Sequence, residues 1–170
     1  PTPENTRERH EQNPEAFPFG DWFTGNNVNI AVGQGDVVVT PLQLANAYAT
    51  LANGGHLMVP QVAAEIHDAR SRQVVEEIES REVNTVEFAP GWRETMMAGF
   101  TGVTQSGGGT AVGTFSGFPN LVVAGKTGTA EVDGKADTSV FVGMMPAEAP
   151  RYVGAAILEE SGFGGQAAAR

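Results

Sequence analysis

Within "AGKTGTAEV", residues 124–132, one ammonium and two hydroxyls fall in four consecutive positions, Lys126-Thr127-Gly128-Thr129. On a strand this group suits an extended, anionic substrate. The lysine supplies charge, the threonines supply hydroxyls, and Ala124, Gly125, Gly128 and Ala130 remove bulk so that another backbone can approach the strand edge. A Lys-Thr-Gly tripeptide alone is weak evidence, because a lysine at a strand edge also serves as a solubilising charge. Its meaning depends on the elements that hold it and on whether a nucleophile faces it.

Three strands carry the last third. Leu121 to Val132, the turn Asp133-Gly134, Asp137 to Met145, the turn at Pro146 to Pro150, and Arg151 to Glu159 read as antiparallel strands, with Asp-Gly between alternating apolar runs as the hairpin signal. "GFGGQAAAR" reads as a glycine-rich turn opening a further helix. Upstream, Thr40 is the expected N-cap of a helix, with Pro41 at the first position, Gln43 closing a capping box, and Asn53-Gly54-Gly55 as the stop. Its apolar residues spread around the circumference, which predicts burial on several sides. "PGWRETMMAGFTGVTQSGGG" gives a second helix, with Trp92, Met96, Met97, Phe100 and Val103 near helical spacing and the methionines as core filler. Residues 60–79 predict a peripheral, solvent-facing hairpin, with Val62, Ala64 and Ile66 on one face and Val74, Glu76 and Ile78 returning after "DARS".

Residues 1–27 are broken by Pro1, Pro3, Pro14 and Pro18. They predict an ordered loop with one turn of helix around Glu4 to His10, and with Phe17, Phe19, Trp22 and Phe23 anchoring onto a neighbour. Gly33 and Gly35 of "GQG" are expected to form a backbone turn into the Thr40 helix. Asp36 and Glu131 are expected to be solvated charges.

Length and composition fit one domain: 170 residues, 41% hydrophobic and 18% charged. Twenty acidic against ten basic residues, a net charge of -10, leave no electrostatic footprint for nucleic acid. Zero cysteines exclude disulfides, thiolate metal sites and a cysteine nucleophile. His10, His56 and His67 lack the pairing of a zinc site, so neither metal nor cofactor is expected. No apolar run reaches membrane-spanning length.

The order "GQGDVVVTPLQLANAYATLANGG" then "AGKTGTAEV" resembles the C-terminal half of class B penicillin-binding protein transpeptidase domains. The opening "PTPE" and "VNIAVGQG" are closest to the penicillin-binding protein 2 type, and the resemblance covers essentially all 170 residues. It implies an α+β fold, part of the serine β-lactamase and penicillin-binding transpeptidase fold, with a helical region and three antiparallel strands of a larger sheet. Residues 1–170 would be the C-terminal part of a single transpeptidase domain. Two more strands, from a segment before Pro1, would pair beside Arg151 to Glu159, and a last helix would follow "GGQAAA". By position, Lys126 resembles the motif lysine that helps bind the substrate carboxylate and supports proton transfer. Thr127 and Thr129, either side of Gly128, would hydrogen-bond that carboxylate, and the backbone N–H of Thr129 would be one of two oxyanion-hole donors. In one place the pattern departs: relatives often carry tryptophan before the Phe-x-Gly, whereas Val140 precedes Phe141 here.

The family nucleophile is a serine followed three places later by lysine. The serines are Ser71, Ser80, Ser106, Ser116, Ser139 and Ser161, and the lysines are Lys126 and Lys135. None of these serines has that spacing, and none is followed two places later by Asn or Asp. The resemblance therefore implies a peptidoglycan D,D-transpeptidase whose serine lies outside this chain, so that the chain alone forms no adduct with a fluorescent penicillin. Its implied partners are peptidoglycan stem peptides, β-lactams in the intact domain, and an elongation-complex glycosyltransferase of the parent protein. Its implied place is the extracytoplasmic face of the bacterial membrane, held by an N-terminal anchor outside the chain. A serine β-lactamase or D,D-carboxypeptidase using the same elements is an alternative, and so is a non-catalytic module that binds peptidoglycan or a partner.

Overall fold

Pro3 stands at the first position of a helix, where its missing N–H costs nothing, so it starts the chain's first helix instead of breaking it. A computed structural model describes residues 2–35, 37–118 and 120–170; Pro1 and Asp36, on which readings above fall, lie outside that set. Helix α1 runs Pro3–Gln12, with Thr2 capping the Asn5 N–H, and is longer than the single turn expected. Helix α2 forms over Thr24–Ala31, its first half within the expected loop, and its first turn is closed by the Asn26 side chain accepting from the Phe23 N–H at 2.9 Å. The expected aromatic anchors stay largely outside the core: Phe17, Phe19 and Phe23 are exposed, with the Arg9 guanidinium 5.1 Å from the Phe17 ring centre. Gly33 and Gly35, at φ 83° and 88°, make the turn that follows α2.

Helix α3, Pro41–Ala52, has the predicted capping box: the Thr40 hydroxyl accepts from the Gln43 N–H at 3.2 Å, and the Gln43 side chain accepts from the Thr40 N–H at 2.9 Å. Such a cap contributes about 1 kcal/mol. The predicted burial on several sides is corrected. Only Thr50, Leu51 and Ala52 are buried, and Leu42 is exposed. Only the C-terminal end of α3 enters the core, and composition around a helix does not say how far along its length a neighbour reaches.

Four short strands follow as two antiparallel pairs. β1 (His56–Met58) pairs with β4 (Glu82–Thr85), and β2 (Glu65–His67) pairs with β3 (Val74–Glu77). The β2–β3 pair is the solvent-facing hairpin predicted, although Val62, Ala64 and Ile78 fall outside its strands. The β1–β4 pairing, across a long connection and a bulge, carries no sequence signal. The first pair is fastened by Glu82, which accepts from the Thr85 hydroxyl and meets His56 Nδ1 at 3.1 Å. The Thr85 bond and then the His56 contact hold the Glu82 carboxyl below its ordinary value. In the β2–β3 turn the Ser71 N–H, the Ser71 hydroxyl and the Arg70 N–H similarly lower Asp68. A lowered folded value means a contribution present above the unfolded value and lost as pH falls through the folded one. Acidification below the ordinary carboxylate range is therefore expected to loosen both pairs before the main sheet, read as earlier loss of amide-exchange protection in β1–β4 and β2–β3.

Helix α4 spans Trp92–Gln105 and buries Met97, Phe100 and Thr104, while Trp92 stays partly exposed and stacks on Phe88 at 5.1 Å. Its Arg93 donates from Nε to the Leu51 carbonyl at 2.9 Å and from Nη2 to that of Ala52, capping the last turn of α3. Arg93→Met is expected to cost about 2–3 kcal/mol, because it removes two charge-assisted bonds from the carbonyls that end α3. Thermal unfolding checks this; a change of melting temperature within error would contradict it. A short helix, α5 (Val112–Phe115), follows.

The three predicted strands are present with trimmed ends: β5 (Ala124–Ala130), β6 (Thr138–Met145) and β7 (Tyr152–Leu158), antiparallel in the order β5-β6-β7. Gly134, at φ 71°, sits in the β5–β6 connection. Alternation sends Ala124, Met144 and Val153 to one face, against Leu51, Ala52, Met97 and Phe100. The other face carries Phe141 and Ala156, packed with Val123 against Ala111, Phe115, Ala168 and Ala169. The chain's end, 164–169, is a run of turns, and it lies on this second face with the Ala168 N–H bonded to the buried Ser139 hydroxyl at 2.8 Å.

Candidate active site

Sheet order makes β5 an edge strand, so half its backbone groups point away from β6. Three hydrogen bonds identify which half. The Val122 carbonyl accepts from the Ala147 N–H at 3.0 Å, on the β6 side. The Val123 carbonyl is taken instead by the Thr104 hydroxyl of α4, and the Thr127 carbonyl accepts from Lys126 Nζ at 2.6 Å. The odd-numbered residues therefore turn their N–H and C=O outward. The free edge presents the backbone of Gly125, Thr127 and Thr129.

Side chains alternate across the same strand. Lys126 is exposed on the even face, and its ammonium curls back to the edge at Thr127. Thr127 and Thr129 project from the odd face, which places their hydroxyls on the other side of the sheet from the lysine's stem. The four motif residues thus converge at the edge and not on one face. Thr127 is only 8% exposed and its Oγ1 lies 2.6 Å from Thr110 Oγ1. The Thr129 hydroxyl oxygen accepts from the Gly164 N–H at 3.3 Å, which leaves its own proton available.

The glycines do work that differs from the expectation. A Cβ on Gly125 would stand 2.7 Å from the Phe141 ring, so this glycine makes room for that ring and not for an incoming chain. Gly128 has ordinary space towards Val140, but the Gly164–Gly165 turn lies flat upon it: a Cβ on Gly164 would be 2.3 Å from the Gly128 carbonyl oxygen. Thr110 and Gly164 were absent from the sequence reading. Their only signals are a small residue after the run Gly107 to Gly109 and the paired glycines of "GFGGQ", neither of which points to Lys126. Glu131 is exposed, as expected. Among the described residues no group of three or more His, Cys, Asp or Glu is placed to hold a metal ion, and no helix is long and apolar enough to cross a membrane.

The chain belongs to the penicillin-binding protein transpeptidase domain family, whose model matches residues 8–170. It is 34% identical over 165 residues to the peptidoglycan D,D-transpeptidase MrdA of Acinetobacter baumannii, covering 86% of this chain and 23% of that protein. The crystal structure of Pseudomonas aeruginosa PBP2 in complex with WCK 5153 superposes with a TM-score of 0.76 at 29% identity, over 99% of this chain and 34% of that one. An imipenem acyl-enzyme complex of Mycobacterium tuberculosis penicillin-binding protein A gives a TM-score of 0.64 at 26% identity, over 78% of this chain and 29% of that one. The chain thus spans about a quarter of the length of the curated relatives it matches. The fold is α+β, part of the serine β-lactamase and penicillin-binding transpeptidase class, as the resemblance implied.

Proposed function

We propose that this chain is the strand-side wall of a peptidoglycan D,D-transpeptidase of the penicillin-binding protein 2 type, its nucleophilic serine lying outside residues 1–170. The observation that carries the reading is the free β5 edge, where the Thr129 N–H turns outward and the Lys126 ammonium is held on the neighbouring Thr127 carbonyl. An extended stem peptide adds along this edge as a further strand, its terminal carboxylate towards the Lys126 ammonium and the hydroxyls of Thr127 and Thr129. The serine Oγ attacks the penultimate D-Ala carbonyl carbon, and its proton passes to a neighbouring base. The resulting oxyanion accepts from the Thr129 N–H, a fixed donor that needs no reorganisation as charge develops. The C–N bond to the last D-Ala breaks, that amine takes the proton, and an acyl-enzyme remains. An amine of a second stem peptide then attacks the ester, forms the cross-link and returns the proton to the serine. A β-lactam carboxylate and carbonyl occupy the same positions, and the ring opens onto the serine.

The setting follows from the same reading: the extracytoplasmic face of the membrane, through an N-terminal anchor outside the chain, beside a glycosyltransferase of the elongation complex. Incubating the full-length protein with glycan strands bearing pentapeptide tests the reaction. Released D-alanine together with cross-linked dimers is the expected result. Rapid turnover of a chromogenic cephalosporin without cross-linking would assign a β-lactamase instead.

A further inference from the structure

Two hydroxyls 2.6 Å apart share one hydrogen bond, so one of them donates to the other and the pair keeps a single O–H to offer outward. Thr127 is nearly buried, whereas Thr110 is exposed, so the pair reaches from the odd face of β5 to the surface. Thr110 is itself held from several directions. The next residue, Ala111, donates its N–H to the Val103 carbonyl of α4 at 3.0 Å. The Thr110 carbonyl is packed so closely by Gly165 that a Cβ there would stand 2.1 Å from it. The Gly165 carbonyl accepts from the Thr114 hydroxyl at 3.1 Å, and the Gly164 N–H fixes Thr129. A set of hydrogen bonds and close backbone packing therefore runs behind the motif from Thr110 to Thr129.

We propose that Thr110 is a positioning residue for this site: its hydroxyl holds that of Thr127 so that the pair's one free proton is aimed at the carboxylate of the bound substrate. The inference rests on the transpeptidase reading above. It assigns a part of the carboxylate site to a loop 17 residues upstream of the motif strand. Thr110→Val keeps the shape and removes the hydroxyl, leaving Thr127 without its partner. A hydrogen bond to a charged group typically alters affinity by about tenfold or more. That factor belongs only to ligands that carry the carboxylate.

The test uses the full-length protein and compares acylation rates for benzylpenicillin and for its methyl ester. Thr110→Val is expected to slow acylation by the acid about tenfold and to leave the ester rate unchanged, so that the preference for acid over ester falls by the same factor. Thr110→Ser, which restores a hydroxyl, is expected to recover the preference. Should the valine variant fail to fold, Thr110→Ala is read by the same ratio. Equal losses for acid and ester would reduce Thr110 to a structural residue, and unchanged rates for both would remove it from the site; either overturns the proposal. If the unsubstituted protein forms no adduct at all, the transpeptidase reading falls and takes this one with it.

Discussion

Lys126→Ala in the full-length protein is expected to slow acylation by benzylpenicillin by about 10²–10⁴-fold, the range in which a positioned proton-transfer group acts. The same substitution should hardly move the melting temperature. Lys126 is exposed, and its ammonium contacts the adjacent Thr127 carbonyl and none of the core. The combination separates chemistry from folding. Loss of the ammonium removes the charge that meets the substrate carboxylate at the strand edge, while both faces of the sheet keep their packing. Stopped-flow acylation and a thermal scan on the same sample give the two readings. An acylation rate within about threefold of the unsubstituted protein would remove Lys126 from the mechanism.

Gly164→Ala is expected to be strongly destabilising for a single added methyl. Its Cβ would stand 2.3 Å from the Gly128 carbonyl oxygen and 2.5 Å from that of Val140, both backbone atoms of paired strands that cannot swing aside. Overpacking of this kind costs about 3 kcal/mol. The turn would have to lift from the sheet, releasing the Thr129 hydroxyl and the Ala168 to Ser139 bond together. Gly107→Ala is the matched control, since nothing lies within 4 Å of a Cβ there. Thermal unfolding is expected to show a large drop for the first variant and almost none for the second. Equal melting temperatures would mean that the 163–170 segment does not bear on the sheet as described.

What the sequence made legible was what is local. The Thr40–Gln43 box and the β5 to β7 strands rest on neighbours within a few positions, and each is present in the fold. Pro3 misled because the same missing N–H that breaks a helix interior favours its first position. The exposure of Leu42 was hidden because a helix's composition says which residues are apolar, not which part of its length is covered. At the site, Lys126 to Thr129 were readable as a motif. Their division between two faces follows from strand alternation, and the outward edge needed the bonds to Val122, Val123 and Thr127. Thr110 and Gly164 lie 17 and 35 residues from their partners and are brought there only by packing.

If the β5 edge is one wall of an acyl-transfer cleft, its nucleophile must come from outside residues 1–170. The most direct measurement is peptide mapping of the full-length protein after labelling with a penicillin. A single stoichiometric adduct is expected on a serine outside these residues, followed three places later by lysine, with no adduct on the isolated chain. A stoichiometric adduct on Ser71, Ser80, Ser106, Ser116, Ser139 or Ser161 would contradict it.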